Sequence, residues 1–147
     1  MDDDGTTGGP APAAGSVPGN DSLLLAAANG VPHDRTPVWF MRQAGRSLPE
    51  YRAVRGPGSI LEAIKQPDRA AEITMQPVQR YGVDAAVLYS DIVVPPHAVG
   101  FGIDVAPGTG PVAEHPLRTS TDLERLRPLE VDDVAYVTDT VDLLVDE

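Results

Sequence analysis

The sequence predicts an α/β fold in which helices connect parallel strands. Two short and nearly continuous apolar runs, 37–41 and 84–90, each lead into a polar loop, a pattern typical of strands buried on both faces. Helical patterns separate the two runs, so we expect a right-handed parallel crossover between them. A two-stranded parallel sheet cannot cover its own faces. The chain is therefore either a small open α/β domain or part of a larger fold.

The first twenty residues are predicted to be a disordered tail. Residues 1–20 contain eight glycine or proline residues and almost no bulky apolar side chain. Such a segment cannot bury enough surface to offset the entropy of ordering. Residues 21–147 are predicted to form the folded part.

Capping residues and glycines predict where the helices begin and end. Residues 23–28 follow a serine and precede Asn29-Gly30, so they predict a short helix. Pro67 suits a first helical turn, Gly82 suits the position past a helix end, and Pro77 should kink the helix between them. Further helical patterns cover 48–55, 60–65, 67–81, 121–126 and 134–145. Residues 100–111 predict either an irregular connection or a short hairpin.

Charge and composition exclude several classes of protein. The net charge of -11 arises mostly at the ends, in 2–4 and 130–147, so the near-neutral middle has no basic patch for nucleic acid. No apolar run is long enough for a membrane span. The acidic start lacks the pattern of a secretory signal, which favours a cytoplasmic location. Without cysteine, these residues cannot supply a disulfide, a thiol nucleophile or a thiolate metal ligand.

Polar clusters follow both predicted strands. Arg42 and Arg46 flank the small residues Ala44 and Gly45 after the first strand, and Asp91 follows the second. Ligands bind at the carboxyl ends of parallel strands, and arginine pairs bind anionic groups well. A carboxylate there could accept N–H donors and stabilise positive charge. The alternatives are a solvated arginine loop and an aspartate that only caps a helix or a turn.

Residues 36–52, TPVWFMRQAGRSLPEYR, resemble the N-terminal signature of the uroporphyrinogen decarboxylase family almost position by position. The resemblance continues through 85–92, 107–111 and 122–126. It implies that the chain is the truncated N-terminal portion of a (β/α)₈ TIM barrel. It also implies a cytoplasmic homodimer that works without cofactor or metal.

The resemblance also implies a function and a set of site residues. Members of this family remove carboxyl groups from the four acetate side chains of uroporphyrinogen III, giving coproporphyrinogen III in haem and porphyrin biosynthesis. Asp91 and Arg42 match catalytic positions, Asp91 gathering the pyrrole N–H groups and Arg42 being a candidate proton donor. The matched substrate-binding residues are Arg42, Gln43, Ala44, Gly45, Arg46 and Asp91.

Two other functions remain open at this point. Relatives in the same barrel superfamily transfer methyl groups to or from cobalamin or thiol carriers with zinc, although they lack the full 42–46 pattern. The 147 residues could also be an inactive fragment that at most binds an anionic tetrapyrrole. The tyrosine, the hydroxyl residue and the histidine that complete the family's site are expected to lie beyond residue 147.

Overall fold

We describe a computed structural model of the chain that covers residues 22–41, 48–106 and 108–145. The predicted tail, 1–20, lies outside these described residues. The chain divides between Val38 and Trp39 into two units. The described part of the first unit contains helix α1, Leu23–Ala28. Ser22 caps it as predicted, because its Oγ accepts the Leu25 N–H at 3.4 Å.

The second unit begins with three helices at the predicted positions: α2 (Pro49–Arg55), α3 (Ile60–Ile64) and α4 (Pro67–Tyr81). Ser59 and Glu62 form a reciprocal capping box at the start of α3. Gly82 ends α4 in the left-handed conformation, with φ 61°, which a glycine adopts without steric cost. Pro77 lies within α4 as expected. The helical patterns therefore located these helices correctly to within one residue.

A short helix and a hairpin follow. Helix α5, Val94–Ala98, was not anticipated, because Pro95 and Pro96 make its sequence resemble a loop. Proline is tolerated in a first turn, where the missing N–H has no intrahelical partner. Strands β1 (Ile103–Ala106) and β2 (Gly110–Ala113) then pair antiparallel. Of the two alternatives for 100–111, the hairpin is correct.

The last elements are helical, as predicted. Thr119 and Asp122 form a capping box on the 3₁₀ helix Ser120–Arg125, so the expected capped turn is present with tighter geometry. A second 3₁₀ helix, Val131–Val134, leads directly into α6, Ala135–Val145. Helix α6 packs against α4. Among the helices of the described residues, none is long and apolar enough to cross a membrane.

The two predicted parallel strands are not confirmed. In the described part of the chain, neither 37–41 nor 84–90 forms a regular strand, and the only sheet is the β1–β2 hairpin. The expected burial of the first run is also wrong, since Trp39 is 47% exposed and Met41 76% exposed. Apolar composition favours an extended chain, but a strand also requires a neighbour that supplies a regular ladder of hydrogen bonds. Over the ranges that it describes, the structure therefore shows a mixture of helices and strands and no barrel.

The core of the second unit lies where α2, α3 and α4 meet the segment that leads into α5. Ile73 of α4 and Ile64 of α3 are among its fully buried side chains. Tyr89 and Val93, on either side of Asp91, belong to the same cluster. Truncating such a buried side chain to alanine typically costs about 2–5 kcal/mol. The predicted site residue Asp91 therefore lies on a segment that the core fixes from both sides.

Candidate functional site

Among the predicted site residues, the structure describes Asp91. The other predicted residues lie outside the described residues: Arg42, Gln43, Ala44, Gly45 and Arg46. The geometry of the site is therefore built from Asp91 and its surroundings.

Asp91 lies in the turn that precedes helix α5. Its Oδ1 accepts the Val93 N–H at 3.0 Å, and its carbonyl oxygen accepts the Val94 N–H at 3.1 Å. Both bonds stabilise the turn, which is one of the two alternatives to a functional role; the N-cap of α5 itself is Val93. Within the described residues, Oδ2 has no hydrogen-bond partner. One carboxylate oxygen is used by the fold, and the other is available to a ligand.

A largely apolar hollow of about 410 Å³ opens beside Asp91. Its walls come from the segment around Asp91, from α5 and from the region where the second 3₁₀ helix meets α6. The lining residues are Ser90, Asp91, Ile92, Val94, Pro95, Leu129, Val134 and Val137. A carboxylate beside apolar walls is less screened than one in bulk water and interacts more strongly with N–H donors and cations.

The segment before Asp91 is anchored to two helices through Tyr89, which is only 6% exposed. Its backbone N–H donates to Thr74 Oγ1 of α4 at 2.9 Å. Its ring meets that of Tyr51 of α2 edge to face, with centroids 6.0 Å apart and hydroxyl oxygens 3.4 Å apart. Burial, followed by the Tyr51 hydrogen bond, raises the pKa of Tyr89, so the phenol stays protonated.

Two arginines of helix α2 contribute to a second hollow. Arg52 and Arg55, together with Tyr51, line a space of about 710 Å³ that extends to the hairpin turn at Gly108. Arg55 donates to the carbonyl oxygens of Gly56 at 3.1 Å and Gly58 at 2.7 Å. This guanidinium therefore stabilises its own loop. The arginines in the sequence predicted an anion-binding site, but the sequence could not show which guanidinium groups bind backbone carbonyl oxygens instead of a ligand.

Two anchoring residues were not anticipated. Thr74 lies on the buried face of α4, where most side chains are apolar. A polar residue at such a position was the one signal that could have identified it. His97 of α5 bonds the Ile103 carbonyl through Nδ1 at 2.8 Å, and its Nε2 lies 3.0 Å from Lys65 Nζ. Since an ammonium group only donates, Nε2 is the acceptor and Nδ1 carries the proton. No cluster of three metal-ligating side chains occurs in the described ranges.

The second unit thus contains helices, a hairpin and a turn-stabilising carboxylate at the edge of an apolar hollow. A family model described as uroporphyrinogen decarboxylase (URO-D) matches residues 20–147. The chain belongs to the uroporphyrinogen decarboxylase family.

Three curated relatives, each named uroporphyrinogen decarboxylase, illustrate the similarity. The Salinispora tropica protein is 51% identical over 144 residues, covering 97% of this chain and 39% of the relative. The Streptomyces coelicolor protein is 57% identical over 127 residues, or 86% of this chain and 36% of the relative. The Thermobifida fusca protein is 54% identical over 132 residues, or 90% and 37%. The chain spans less than two fifths of the length of these relatives.

Proposed function

We propose that this chain forms part of a carboxy-lyase that removes carboxyl groups from the four acetate side chains of uroporphyrinogen III, giving coproporphyrinogen III in haem biosynthesis without a cofactor. The observation that carries the proposal is the family match over residues 20–147. It is supported by Asp91, whose Oδ2 has no partner within the described residues and which borders an apolar hollow. Uroporphyrinogen presents pyrrole N–H groups, which a carboxylate with an available oxygen can accept.

In the proposed reaction, Asp91 acts on charge that develops during turnover. Protonation of a pyrrole carbon produces a cationic intermediate, and carbon dioxide then leaves from the attached acetate, its bonding electrons forming an exocyclic methylene. Protonation of that methylene and loss of the added ring proton give the methyl group and restore the pyrrole. A fixed carboxylate beside the ring stabilises that cation more than it stabilises the neutral substrate. The Val93 N–H holds Oδ1 in place, so little reorganisation is needed when the charge appears.

The arginine loop supplies the complementary part of the proposed site. Arg42 and Arg46 match the family's ligands for substrate carboxylates, and their guanidinium groups suit bidentate binding. Gln43, Ala44 and Gly45 lie between them in the sequence and match substrate-binding positions of the family. Arg42 is also the candidate proton donor, although an arginine in its ordinary state is a very weak acid. This assignment rests on the match of residues 36–52 to the family.

The proposal extends to the architecture of the whole enzyme. Residues 21–147 would be the N-terminal portion of a (β/α)₈ barrel, a fold that typically needs about 250 residues. The active protein would be a cytoplasmic homodimer. Regular pairing of 37–41 and 84–90 would then depend on barrel elements that these residues do not provide.

A chimera tests the proposed function. In it, this chain replaces the matching segment of the Streptomyces coelicolor relative, which is 57% identical over that segment. Uroporphyrinogen III is supplied anaerobically, and the products are separated after oxidation to porphyrins. We expect stepwise loss of carboxyl groups down to coproporphyrinogen. A folded chimera that leaves uroporphyrinogen unchanged would contradict the proposal, provided that the intact relative is active in the same assay.

A second proposal concerns the 147-residue polypeptide alone, for which we expect no decarboxylase activity. The observation that favours it is the exposure of large apolar side chains next to the proposed site. Ile92, beside Asp91, is 90% exposed, and Phe40 and Met41, which directly precede Arg42 in the sequence, are also exposed. Apolar surface of this kind usually marks a region that another part of a protein covers.

A further inference from the structure

The guanidinium group of Arg127 makes three hydrogen bonds that link two parts of the second unit. Nη1 donates to Asp133 Oδ2 at 2.5 Å, and Nη2 donates to Asp133 Oδ1 at 2.6 Å. Nη2 also donates to the carbonyl oxygen of Ala98 at 2.8 Å. We call Arg127, Asp133 and this carbonyl the clasp. The hydrogen bonds from Arg127 hold the pKa of Asp133 down at about 2, so the pair is charged at neutral pH.

The clasp lies at the opposite end of α5 from Asp91. Ala98 is the last residue of this five-residue helix, and Asp91 binds the amides at its start. The Arg127 N–H also donates to the Val99 carbonyl at 3.2 Å. A Cβ added at Gly100 would lie 3.3 Å from the Arg125 carbonyl oxygen, so the two backbone segments are closely packed there. Because α5 is so short, a displacement at its clasped end is transmitted to Asp91.

The clasp also joins the two apolar walls of the hollow beside Asp91. Val94 and Pro95 of α5 form one wall, and Val134 and Val137 form the other. Asp133 directly precedes Val134, and Arg127 connects it to the end of α5. The Arg127 side chain therefore links the two walls directly.

We infer that Arg127 and Asp133 are positioning residues that fix the orientation of Asp91 and the width of the hollow beside it. This inference rests on the proposed function for its catalytic consequence. The ion pair is largely exposed on its arginine side, and exposed ion pairs contribute little to stability. Its main effect is therefore on the geometry of the site rather than on the stability of the fold.

Kinetics of the chimera test the inference. Arg127→Ala should lower kcat about tenfold or more while KM changes by less than about threefold, because misplacing a catalytic group mainly affects the transition state. Arg127→Lys keeps the charge but cannot bind two carboxylate oxygens and a carbonyl oxygen with one planar fork, so it should recover kcat only in part. Arg80→Ala is the matched control, because Arg80 forms an exposed ion pair with Glu50 away from α5.

Hydrogen exchange provides a readout that does not depend on activity. The backbone N–H groups of Val93 and Val94 donate to Asp91. In Arg127→Ala, the hydrogens of these two amides should exchange faster than in the parent, whereas Arg80→Ala should leave their exchange rates unchanged. If the parent chimera is inactive, the proposed function fails while exchange still tests the clasp. Unchanged exchange at these amides in Arg127→Ala, or a kcat equal to that of Arg80→Ala in an active chimera, would overturn the inference.

Discussion

Thr74 Oγ1 accepts the backbone N–H of Tyr89 at 2.9 Å and donates its own hydrogen to the Ala70 carbonyl at 2.7 Å. The hydroxyl thus replaces a strand neighbour for Tyr89, whose buried amide would otherwise lack a partner. Tyr89 lies two residues before Asp91. Its bond to Thr74 therefore fixes the backbone that leads to Asp91 against helix α4.

Replacing Thr74 by valine should destabilise the chimera by about 1–3 kcal/mol, because the shape is kept but the Tyr89 N–H loses its acceptor. Thr74→Ser should restore most of this loss. Thr138→Val is the matched control, since Thr138 makes a similar bond to the Ala135 carbonyl at an exposed position. Urea unfolding measures all three variants. Equal free energies of unfolding for the Thr74 and Thr138 valine variants would show that the Tyr89 amide has another partner.

Asp91→Asn should retain substrate binding and lose most turnover. The amide oxygen can still accept the Val93 N–H, so the start of α5 should be preserved within about 0.5 kcal/mol. The negative charge is lost, and removing one electrostatic stabiliser typically lowers kcat by about 10²–10³. Steady-state kinetics of the chimera provide the test. Full activity in Asp91→Asn would show that Asp91 only stabilises the turn before α5.

Arg42→Ala and Arg46→Ala should each weaken substrate binding about tenfold or more. A charge-assisted hydrogen bond contributes about 1.5–3 kcal/mol, and in the proposed site each variant would remove at least one such bond to a substrate carboxylate. Arg118→Ala serves as the control, because Arg118 lies outside the matched loop. Binding of a non-reactive porphyrin with the same carboxylates can be followed by absorbance. Indistinguishable affinities for all three variants would exclude the 42–46 loop from the site.

Acid should remove the contribution of the Arg127–Asp133 pair. The folded-state pKa of Asp133 is about 2 and lies below its ordinary value of 3.8, so the stabilisation is fully present above about pH 5 and is lost as the pH falls toward 2. The difference in unfolding free energy between the parent and Asp133→Asn should narrow over this range. Asp132→Asn, which leaves the clasp in place, should show no such narrowing. A pH-independent difference would mean that the aspartate does not act through its charge.

Expressed alone, the 147-residue chain should lack decarboxylase activity and should not unfold in one cooperative transition. Its exposed apolar side chains include Ile92, Met41 and Phe40, and exposed surface of this kind promotes association. A thermal scan and the anaerobic assay, run beside the chimera, test both statements. Measurable product with a sharp transition would show that the second unit is self-sufficient.

Local chemistry made the helices predictable. Ser22 and Gly82 mark helix ends through hydrogen bonds or backbone conformations that depend on neighbouring residues alone. The parallel strands could not be obtained in this way, because a ladder depends on residues far along the chain. Helix α5 was missed because its two prolines usually interrupt helices and only their place in the first turn makes them compatible.

The candidate site was predictable in residue type and only partly in geometry. Asp91 was identified from its position after an apolar run, and the sequence alone could not decide between a ligand-binding carboxylate and one that stabilises a turn; Oδ1 takes the second role. Arg127 was not predicted to have a structural or functional role, because the side chain of a single arginine near acidic residues is usually solvated. Its role depends on the proximity of Ala98, a contact across 29 positions of sequence.

The exposure of Trp39 gives the protein an intrinsic optical reporter. It is the single tryptophan of the chain and is 47% exposed, three residues before Arg42. Its emission in the isolated polypeptide should therefore resemble that of a water-exposed indole and should be quenched by iodide. If the remainder of the relative covers this face in the chimera, the emission maximum should shift to shorter wavelength and quenching should fall. Burial of the surface around Trp39 can thus be followed through its fluorescence, in real time and without a label.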